Sequence, residues 1–211
     1  MLSVSIFIFP DVEVLDFAGP FEVFSVARAS GIAPPLFRVS LLAEKPGPVL
    51  ARGGLEVLPH QSFQSISSGQ TDGPNILVIP GGGGYRADGT PFGTRKEVNN
   101  PAVISFIQQT APTCKHVLSV CTGALLLAKA GLLDGITATT HHLAIDALRQ
   151  MAPHTTVRSD VRFTDHGHIL TSGGISAGID ASLHLVGKIH GPAAAQETAS
   201  YMEYTPALPE K

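Results

Sequence analysis

The sequence has few charged residues, few cysteines and no long apolar run, and each scarcity excludes a class of protein. Charged residues make up 15% of the 211 residues and the formal net charge is −3, so no basic excess favours direct binding of nucleic acid. No apolar run approaches the ~18 residues that a membrane span needs. The apolar segment Leu2–Phe9 has no basic segment before it and no small-residue cleavage site after it. We interpret it as a first strand and not as a signal peptide.

The two cysteines, Cys114 and Cys121, are too far apart in the predicted structure to form a disulfide. They lie in the approach to one strand and at its end, and an extended chain would separate them by ~20 Å. Two free thiols are typical of a reducing compartment, so we expect the protein in the cytoplasm.

The nine histidines do not form a recognisable metal motif. No His-x-x-x-His or Cys-x-x-Cys spacing occurs, so we expect no metal. His184 follows Asp180 by four positions on a predicted helix, and we interpret the two as an ion pair.

Strand-like and helix-like segments alternate along most of the chain, which predicts a parallel sheet with helices on both faces. We therefore expect one domain, residues 1–211, with a three-layer αβα, flavodoxin-like architecture. The predicted strands are Leu2–Phe9, Phe37–Leu42, Val49–Ala51, Leu55–Leu58, Ile76–Ile79, Val117–Val120, Ala138–Thr140, Val157–Phe163 and His168–Thr171. The predicted helices are Pro20–Ala29, Pro101–Ala111, Ala124–Ala130, Leu143–Met151, Ala177–Ile189 and Gln196–Tyr204. Loops are predicted at Gly31–Pro35 and Ser67–Pro74, a polar loop or a short irregular helix at Tyr85–Asn99, and a hairpin turn at 165–167.

Cys121 lies where a buried strand turns directly into a helix. This nucleophile-elbow arrangement presents a side chain at a helix N-terminus, where free N–H groups and the helix dipole favour negative charge. We therefore expect a lowered pKa for the Cys121 thiol and nucleophilic chemistry. The alternative is a small buried apolar residue, which free cysteines often are.

Two further loops follow apolar strands at their carboxyl ends, where open parallel sheets bind ligands. Asp16 lies in the first loop, among apolar residues. Burial among them would raise its pKa and let it hold a proton for delivery. The alternative is that Asp16 is the N-cap of the helix near Pro20. Gly81–Gly84 follow another strand. No Gly-Lys-Ser/Thr and no dinucleotide spacing accompany them, so we expect their backbone N–H groups to form half of an anion hole.

These residues belong to a set of motifs that resembles the ThiJ/PfpI superfamily, which shares the class I glutamine amidotransferase-like fold. The likeness extends from Ser3 to Tyr204. Its motifs, in order, are Phe9-Pro10 with the run Leu15 to Pro20, then Ile79 to Gly82, Ser119 to Gly123, Ala130 to Leu133, Ala138 to His141, and Ser172 to Asp180.

Within that superfamily the chain most resembles the isonitrile (isocyanide) hydratases, carbon–oxygen lyases that convert R–N≡C to an N-substituted formamide. The resemblance implies a nucleophile at Cys121, an acidic partner at Asp16 and a hydroxyl contact from Thr122. It also implies substrate-binding N–H donors from Thr122 and the glycine loop (Gly81, Gly82 and Gly83). It implies a small-molecule substrate, no cofactor and a homodimer.

Other branches of the superfamily remain alternatives. Glyoxalase and deglycase relatives typically carry Glu in the first loop and His beside the cysteine, whereas this chain has Asp16; an amidase-like enzyme is a further alternative. His142 stands where many hydratases have tryptophan, which leaves substrate preference open. The sensing domains of AraC-type regulators share these motifs but continue into a basic helix-turn-helix. Because this sequence ends at Lys211 without one, we expect a stand-alone enzyme, with a ligand-sensing protein as the alternative.

Overall fold

A seven-stranded sheet forms the centre of the computed structural model, which describes residues 1–30 and 35–207. Its strands, in chain order, are β1 (Leu2–Phe7), β2 (Phe37–Ala43), β3 (Gln61–Ser62), β4 (Ile76–Ile79), β5 (His116–Ser119), β6 (Phe163–His166) and β7 (Ile169–Ser172). Their spatial order is β6-β7-β5-β4-β1-β2-β3. All neighbours are parallel except β6 and β7, which form an antiparallel hairpin.

Eight α-helices surround this sheet in the described part of the chain. They are α1 (Val14–Val26), α2 (Phe63–Ser67), α3 (Thr94–Glu97), α4 (Pro101–Thr110), α5 (Gly123–Lys129), α6 (Ile145–Met151), α7 (Ala177–His190) and α8 (Pro192–Tyr201). Helices α1, α7 and α8 contact one another, and α5 contacts α4 and α6. The predicted α/β fold with a mostly parallel sheet is confirmed.

The central strands are apolar because helices cover them. All four residues of β4 are fully buried, and Val117 and Leu118 of β5 are fully buried beside them. Continuous apolar sequence of this kind is typical of parallel strands that have no solvent-facing side. The chain therefore places the ends of β1, β4 and β5 side by side at the middle of the molecule.

Helix α1 begins six residues earlier than predicted. Pro20 lies inside the helix. Proline is usually found in the first turn of a helix, because it has no N–H to donate to the carbonyl four residues earlier. Here that carbonyl belongs to Asp16. Of the two alternatives for Asp16, the N-cap is wrong, since Glu13 holds that position and makes no side-chain cap hydrogen bond. Burial of Phe17 and Phe24 against the sheet outweighs the local cost of the proline.

Other differences concern short elements. The strand predicted at Val157–Phe163 is wrong: a two-residue strand ends at Val157, and β6 begins only at Phe163. Among the described residues, three two-stranded ribbons lie outside the main sheet: Val49–Leu50 with Glu56–Val57, Gly83–Tyr85 with Pro91–Gly93, and Thr137–Ala138 with Thr156–Val157. Within Tyr85–Asn99, the short helix α3 agrees with one of the two predicted alternatives, whereas the strands of the second ribbon were not predicted.

The last helix begins at Pro192 and not at Gln196, as proline at a first helical position permits. The loop predicted at Gly31–Pro35 lies almost wholly outside the described residues. Within the described ranges, every helix is too short or too polar to cross a lipid bilayer.

Candidate active site

Three loops that the sequence singled out meet at one edge of the sheet. They follow β1, β4 and β5, and these strands are neighbours in the order β5-β4-β1. The predicted convergence of Asp16, the glycine loop and Cys121 is confirmed, because the carboxyl ends of adjacent parallel strands lie together.

Cys121 occupies a strained elbow between β5 and α5. Its φ is +57°, a value that non-glycine residues rarely adopt. Two contacts fix the bend: the Cys121 N–H donates to the carbonyl of Gly173 (3.0 Å), and its carbonyl accepts from Thr140 Oγ1 (2.7 Å). Such strain persists only where surrounding structure holds it, as at a nucleophile elbow.

The glycine loop packs so closely on the elbow that a side chain would not fit. A Cβ on Gly81 would lie 2.4 Å from the backbone nitrogen of Thr122, and one on Gly82 would lie 2.3 Å from that of Glu13. The Glu13 N–H also donates to the carbonyl of Gly81 (3.0 Å). These contacts hold the start of α1 and the elbow at a fixed separation.

Asp16, in the first turn of α1, is fully buried. Its Oδ2 accepts the Gly81 N–H (3.0 Å), whereas Oδ1 is buried and has no hydrogen-bond partner among the described residues. Burial raises the pKa of Asp16 to about 7, although the Gly81 N–H and the Cys121 thiol act in the opposite direction. The predicted upward shift is confirmed, and a carboxyl with such a pKa can both accept and release a proton near neutral pH.

The Cys121 thiol does not have the lowered pKa that its position at a helix N-terminus predicted. Burial, followed by the nearby charge of Asp16, raises its pKa to about 12. The N–H groups of Thr122 and Ile175 act in the opposite direction, but they do not outweigh the loss of water around a thiol that is 5% exposed. The expectation of a resting thiolate is therefore wrong.

Cys121 and Asp16 are better described as one unit that shares a proton. Above pH 7 the carboxyl has lost its proton while the thiol keeps its own. Strongly interacting groups titrate as a pair. The pair has two forms with the same net charge: a thiol with a carboxylate, and a thiolate with a carboxylic acid. Transfer of the proton from sulfur to Asp16 creates a nucleophile without a change in that charge.

Ile175 is a site residue that sequence reasoning missed. It lies in the turn between β7 and α7, and its N–H lowers the pKa of both Asp16 and Cys121. Its φ is +55°, which is rare for a β-branched residue. The sequence did contain a signal for this turn: the pair Gly173-Gly174 follows the buried strand β7, which lies next to β5 in the sheet.

The Thr122 hydroxyl faces the glycine loop in this structure. It accepts the Gly82 N–H (3.0 Å) and donates to Thr94 Oγ1 (3.0 Å), a fully buried hydroxyl that the sequence did not indicate. The N–H groups of Gly81 and Gly82 are thus already bonded, to Asp16 and to Thr122. Their role as substrate donors stays a prediction, as does the contact of the Thr122 hydroxyl with substrate; the Thr122 N–H lies near the sulfur.

Packing and backbone conformation both require glycine at position 83. With φ at +86°, it pairs with Gly93 in the short ribbon, and a Cβ there would lie 2.2 Å from the carbonyl oxygen of Phe92.

No group of three or more His, Cys, Asp or Glu side chains in the described ranges is arranged to hold a metal ion. Both cysteines are free, as predicted.

The ion pair predicted between Asp180 and His184 is wrong. His184 Nε2 contacts Asp165 Oδ2 (2.8 Å), while the fully buried Asp180 bonds Arg162 Nε (2.6 Å). Helical spacing allowed the first pairing, but Asp180 faces inward beside the Ile175 turn.

His141 packs beside the same turn. A Cβ on Gly174 would lie 2.2 Å from the His141 ring, and His141 Nδ1 accepts the Leu143 N–H (3.2 Å). Burial, followed by the neighbouring His142, lowers the pKa of His141.

The sequence is similar to proteins of two kinds. It is 32% identical over 210 residues to an isonitrile hydratase from Pseudomonas putida, an alignment that covers 99% of this chain and 81% of that protein. It is 30% identical over 183 residues to the HTH-type transcriptional regulator CdhR from Pseudomonas aeruginosa, covering 87% of this chain. The chain spans about half (49%) of that regulator.

Solved structures show the same fold. A THiJ/PfpI family protein from Pseudomonas syringae superposes with a TM-score of 0.81 at 25% identity, covering all of this chain and 78% of the other. DJ-1beta from Drosophila melanogaster superposes with a TM-score of 0.78 at 18% identity, covering 97% and 98%. The model of the DJ-1/PfpI family matches residues 2–188. With its elbow cysteine, buried carboxyl and parallel sheet, this chain belongs to the DJ-1/PfpI family.

Proposed function

We propose that this protein hydrates isonitriles to N-substituted formamides, with Cys121 as nucleophile and Asp16 as proton carrier. The observation that carries the proposal is a buried carboxyl beside a thiol on a strained elbow, with one carboxyl oxygen that makes no hydrogen bond to the described residues. The 32% identity to an isonitrile hydratase over nearly the whole chain supports this particular reaction. The homodimer implied by the family resemblance belongs to the same proposal.

In the first step, the Cys121 sulfur attacks the terminal carbon of R–N≡C while Asp16 takes the thiol proton. The same proton then passes from Asp16 to that carbon, which gives the thioimidate S–CH=N–R. Isonitrile carbon accepts both a nucleophile and a proton, and a thiol beside a carboxylate supplies both. The N–H groups of Thr122 and Ile175 stabilise negative charge as it develops on sulfur.

In the second step, water adds to the thioimidate carbon. Asp16, again a carboxylate, takes one proton from the water and delivers it to nitrogen, which gives S–CH(OH)–NH–R. The C–S bond then breaks, the hydroxyl proton returns through Asp16 to sulfur, and R–NH–CHO leaves. The atoms balance as one isonitrile and one water per formamide.

Neighbouring apolar side chains fit an apolar R group. Leu15, beside Asp16 in sequence, and Ile175, whose N–H faces the sulfur, are each 38% exposed. Partly exposed apolar side chains of this kind suit a substrate whose only polar end is the isonitrile itself.

Replacing Cys121 with Ala tests the covalent scheme. We expect Cys121→Ala to lose at least ~1,000-fold in formamide production from an aryl isonitrile, because no other nucleophile replaces the sulfur. The matched control is Cys114→Ala, which removes a buried thiol that donates to the Thr110 carbonyl (3.3 Å), away from the elbow. This control should retain activity, and mass spectrometry during turnover should detect the adduct on Cys121.

Several outcomes would contradict the proposal. An active Cys121→Ala variant would exclude the thioimidate. Inert isonitrile with consumption of methylglyoxal would favour the glyoxalase-type alternative. If neither compound reacts and a small ligand only raises the melting temperature, the protein senses a ligand, as the similarity to CdhR allows.

A further inference from the structure

We propose that Arg162 is a positioning residue for the active site, tying the buried Asp180 to the turn that presents the Ile175 N–H. This inference rests on the proposed site of Asp16 and Cys121, but not on isonitrile being the substrate. Arg162 itself contacts neither of those residues in the described hydrogen-bond network.

Arg162 is bonded to the turn at both its backbone and its side chain. Its carbonyl accepts the Gly173 N–H (2.8 Å), and its Nη2 donates to Ser176 Oγ (3.3 Å). The segment from Gly173 to Ser176 is therefore held at its two ends by one residue.

Asp180 fixes the guanidinium from the other side. Its Oδ2 accepts from Arg162 Nε (2.6 Å) and also contacts Nη2, while Oδ1 accepts from Tyr204 Oη (3.0 Å) and from the Ala207 N–H (2.9 Å). The carboxylate is fully buried, whereas the Arg162 side chain is 42% exposed. A buried carboxylate with four donors is a rigid anchor, and the planar fork of arginine transmits that rigidity.

The turn requires such an anchor because it is strained. Ile175 has a φ of +55°, which costs free energy for a β-branched residue and relaxes unless its neighbours prevent it. The carbonyl of Gly173 accepts the Cys121 N–H (3.0 Å), so the same turn also supports the elbow. Rotation of the turn would move the Ile175 N–H away from the sulfur and the carboxyl.

Few other titratable groups surround the Asp16–Cys121 unit. Glu13, just before α1, raises the pKa of Asp16 through its charge, and it is itself bonded to Arg52 (2.7 Å). His141 lies against Gly174, and the charge of Glu13 also acts on it by raising its pKa. Neither contacts the guanidinium of Arg162, so a change at Arg162 reaches the unit through the turn.

The test follows alkylation of Cys121 by iodoacetamide between pH 5.5 and 9, with peptide mass spectrometry to separate Cys121 from Cys114. In the unmodified protein the rate should rise through pH about 7, where Asp16 becomes able to accept the thiol proton. In Arg162→Lys we expect the midpoint to rise by roughly half a pH unit or more, because the Ile175 N–H stabilises the charged forms. Arg149→Lys, which alters an exposed pair with Asp146 on α6, should leave the midpoint unchanged.

An unchanged midpoint in a folded Arg162→Lys variant would overturn the inference, since a purely structural residue alters stability and not this profile. If that variant fails to fold, Ser176→Ala decides: it keeps both contacts of Arg162 with Asp180 and removes only the contact between Nη2 and Ser176 Oγ. A smaller upward shift in Ser176→Ala supports the inference, and no shift overturns it. Alkylation needs no isonitrile, so a shifted midpoint in a protein that forms no formamide would sustain this inference while the proposed reaction fails.

Discussion

The carboxyl of Asp16 destabilises the folded protein when it is charged. Its pKa is about 7 in the folded state against an ordinary value of 3.8, so the folded state favours the protonated form. The shift corresponds to about 4 kcal/mol of stability that is present below pH 3.8 and is lost as the pH rises to 7. A proton carrier at neutral pH thus comes with a stability cost at that pH.

Asp16→Asn should therefore stabilise the protein at high pH while it removes proton transfer. Asparagine keeps the shape and can accept the Gly81 N–H, so we expect the variant to be up to about 4 kcal/mol more stable at pH 8 and nearly unchanged at pH 4. Urea denaturation at both pH values measures this difference, and formamide production should fall at least ~100-fold.

Asp88→Asn is the matched control for Asp16→Asn. Asp88 lies in an exposed turn, where the Thr90 N–H lowers its pKa. Its replacement should not stabilise the protein at pH 8. A variant of Asp16 with the same stability difference at both pH values would show that the carboxyl is not held out of water.

The residues of the site were predictable where their side chains carry the chemistry. Cys121 and Asp16 each follow an apolar strand, so their convergence followed from sheet topology. The rise in the pKa of Cys121 could not be predicted in this way, because it depends on the distance to a carboxyl 105 positions away and on burial of both groups. Ile175 contributes a backbone N–H, which leaves no trace in the identity of its side chain.

Among the elements, those made of continuous buried apolar residues were predicted best. Strand β4 was predicted at its observed bounds because four consecutive apolar residues between Asn75 and Pro80 leave little choice. Helix α1 was misplaced because Pro20 suggested a start, whereas packing of its flanking phenylalanines decided the outcome. The short and mostly polar elements β3 and α2 depend on tertiary partners and gave no periodic signal.

The contact between the glycine loop and the elbow leads to a prediction at Gly81. Gly81→Ala would place a methyl group 2.4 Å from the Thr122 nitrogen, so the loop or the elbow must move. We expect a loss of about 1–3 kcal/mol in unfolding free energy and a larger loss of activity than of stability, because Asp16 is bonded to the same residue.

Gly84→Ala provides the control within the same loop. A Cβ there meets only the Phe92 ring at 3.7 Å, an ordinary contact. Thermal melts and formamide assays of both variants distinguish them. Equal behaviour of the two would mean that the loop is not locked against Thr122.

At the scale of the whole molecule, Asp180 connects the end of the described chain to the core. The hydroxyl of Tyr204 and the N–H of Ala207 both donate to its Oδ1. Tyr204→Phe removes one donor to a buried charge and should cost about 1.5–3 kcal/mol in urea denaturation.

Tyr201→Phe is the control at the end of the chain. The Tyr201 ring is exposed and packs under the Arg28 guanidinium, a contact that phenylalanine keeps. This variant should remain within about 0.5 kcal/mol of the unmodified protein. A comparable loss in both variants would mean that the bond to Asp180 contributes nothing specific.

The two outer strands of the sheet bear on how the protein behaves when concentrated. An outer strand with free backbone groups can recruit a strand from another molecule and start aggregation. Here one border is the two-residue β3, and the other is β6, whose Asp165 carboxylate is held by Lys188 Nζ (2.7 Å). An outer strand too short to extend and an outer strand that carries charged side chains both disfavour the addition of a strand from another molecule.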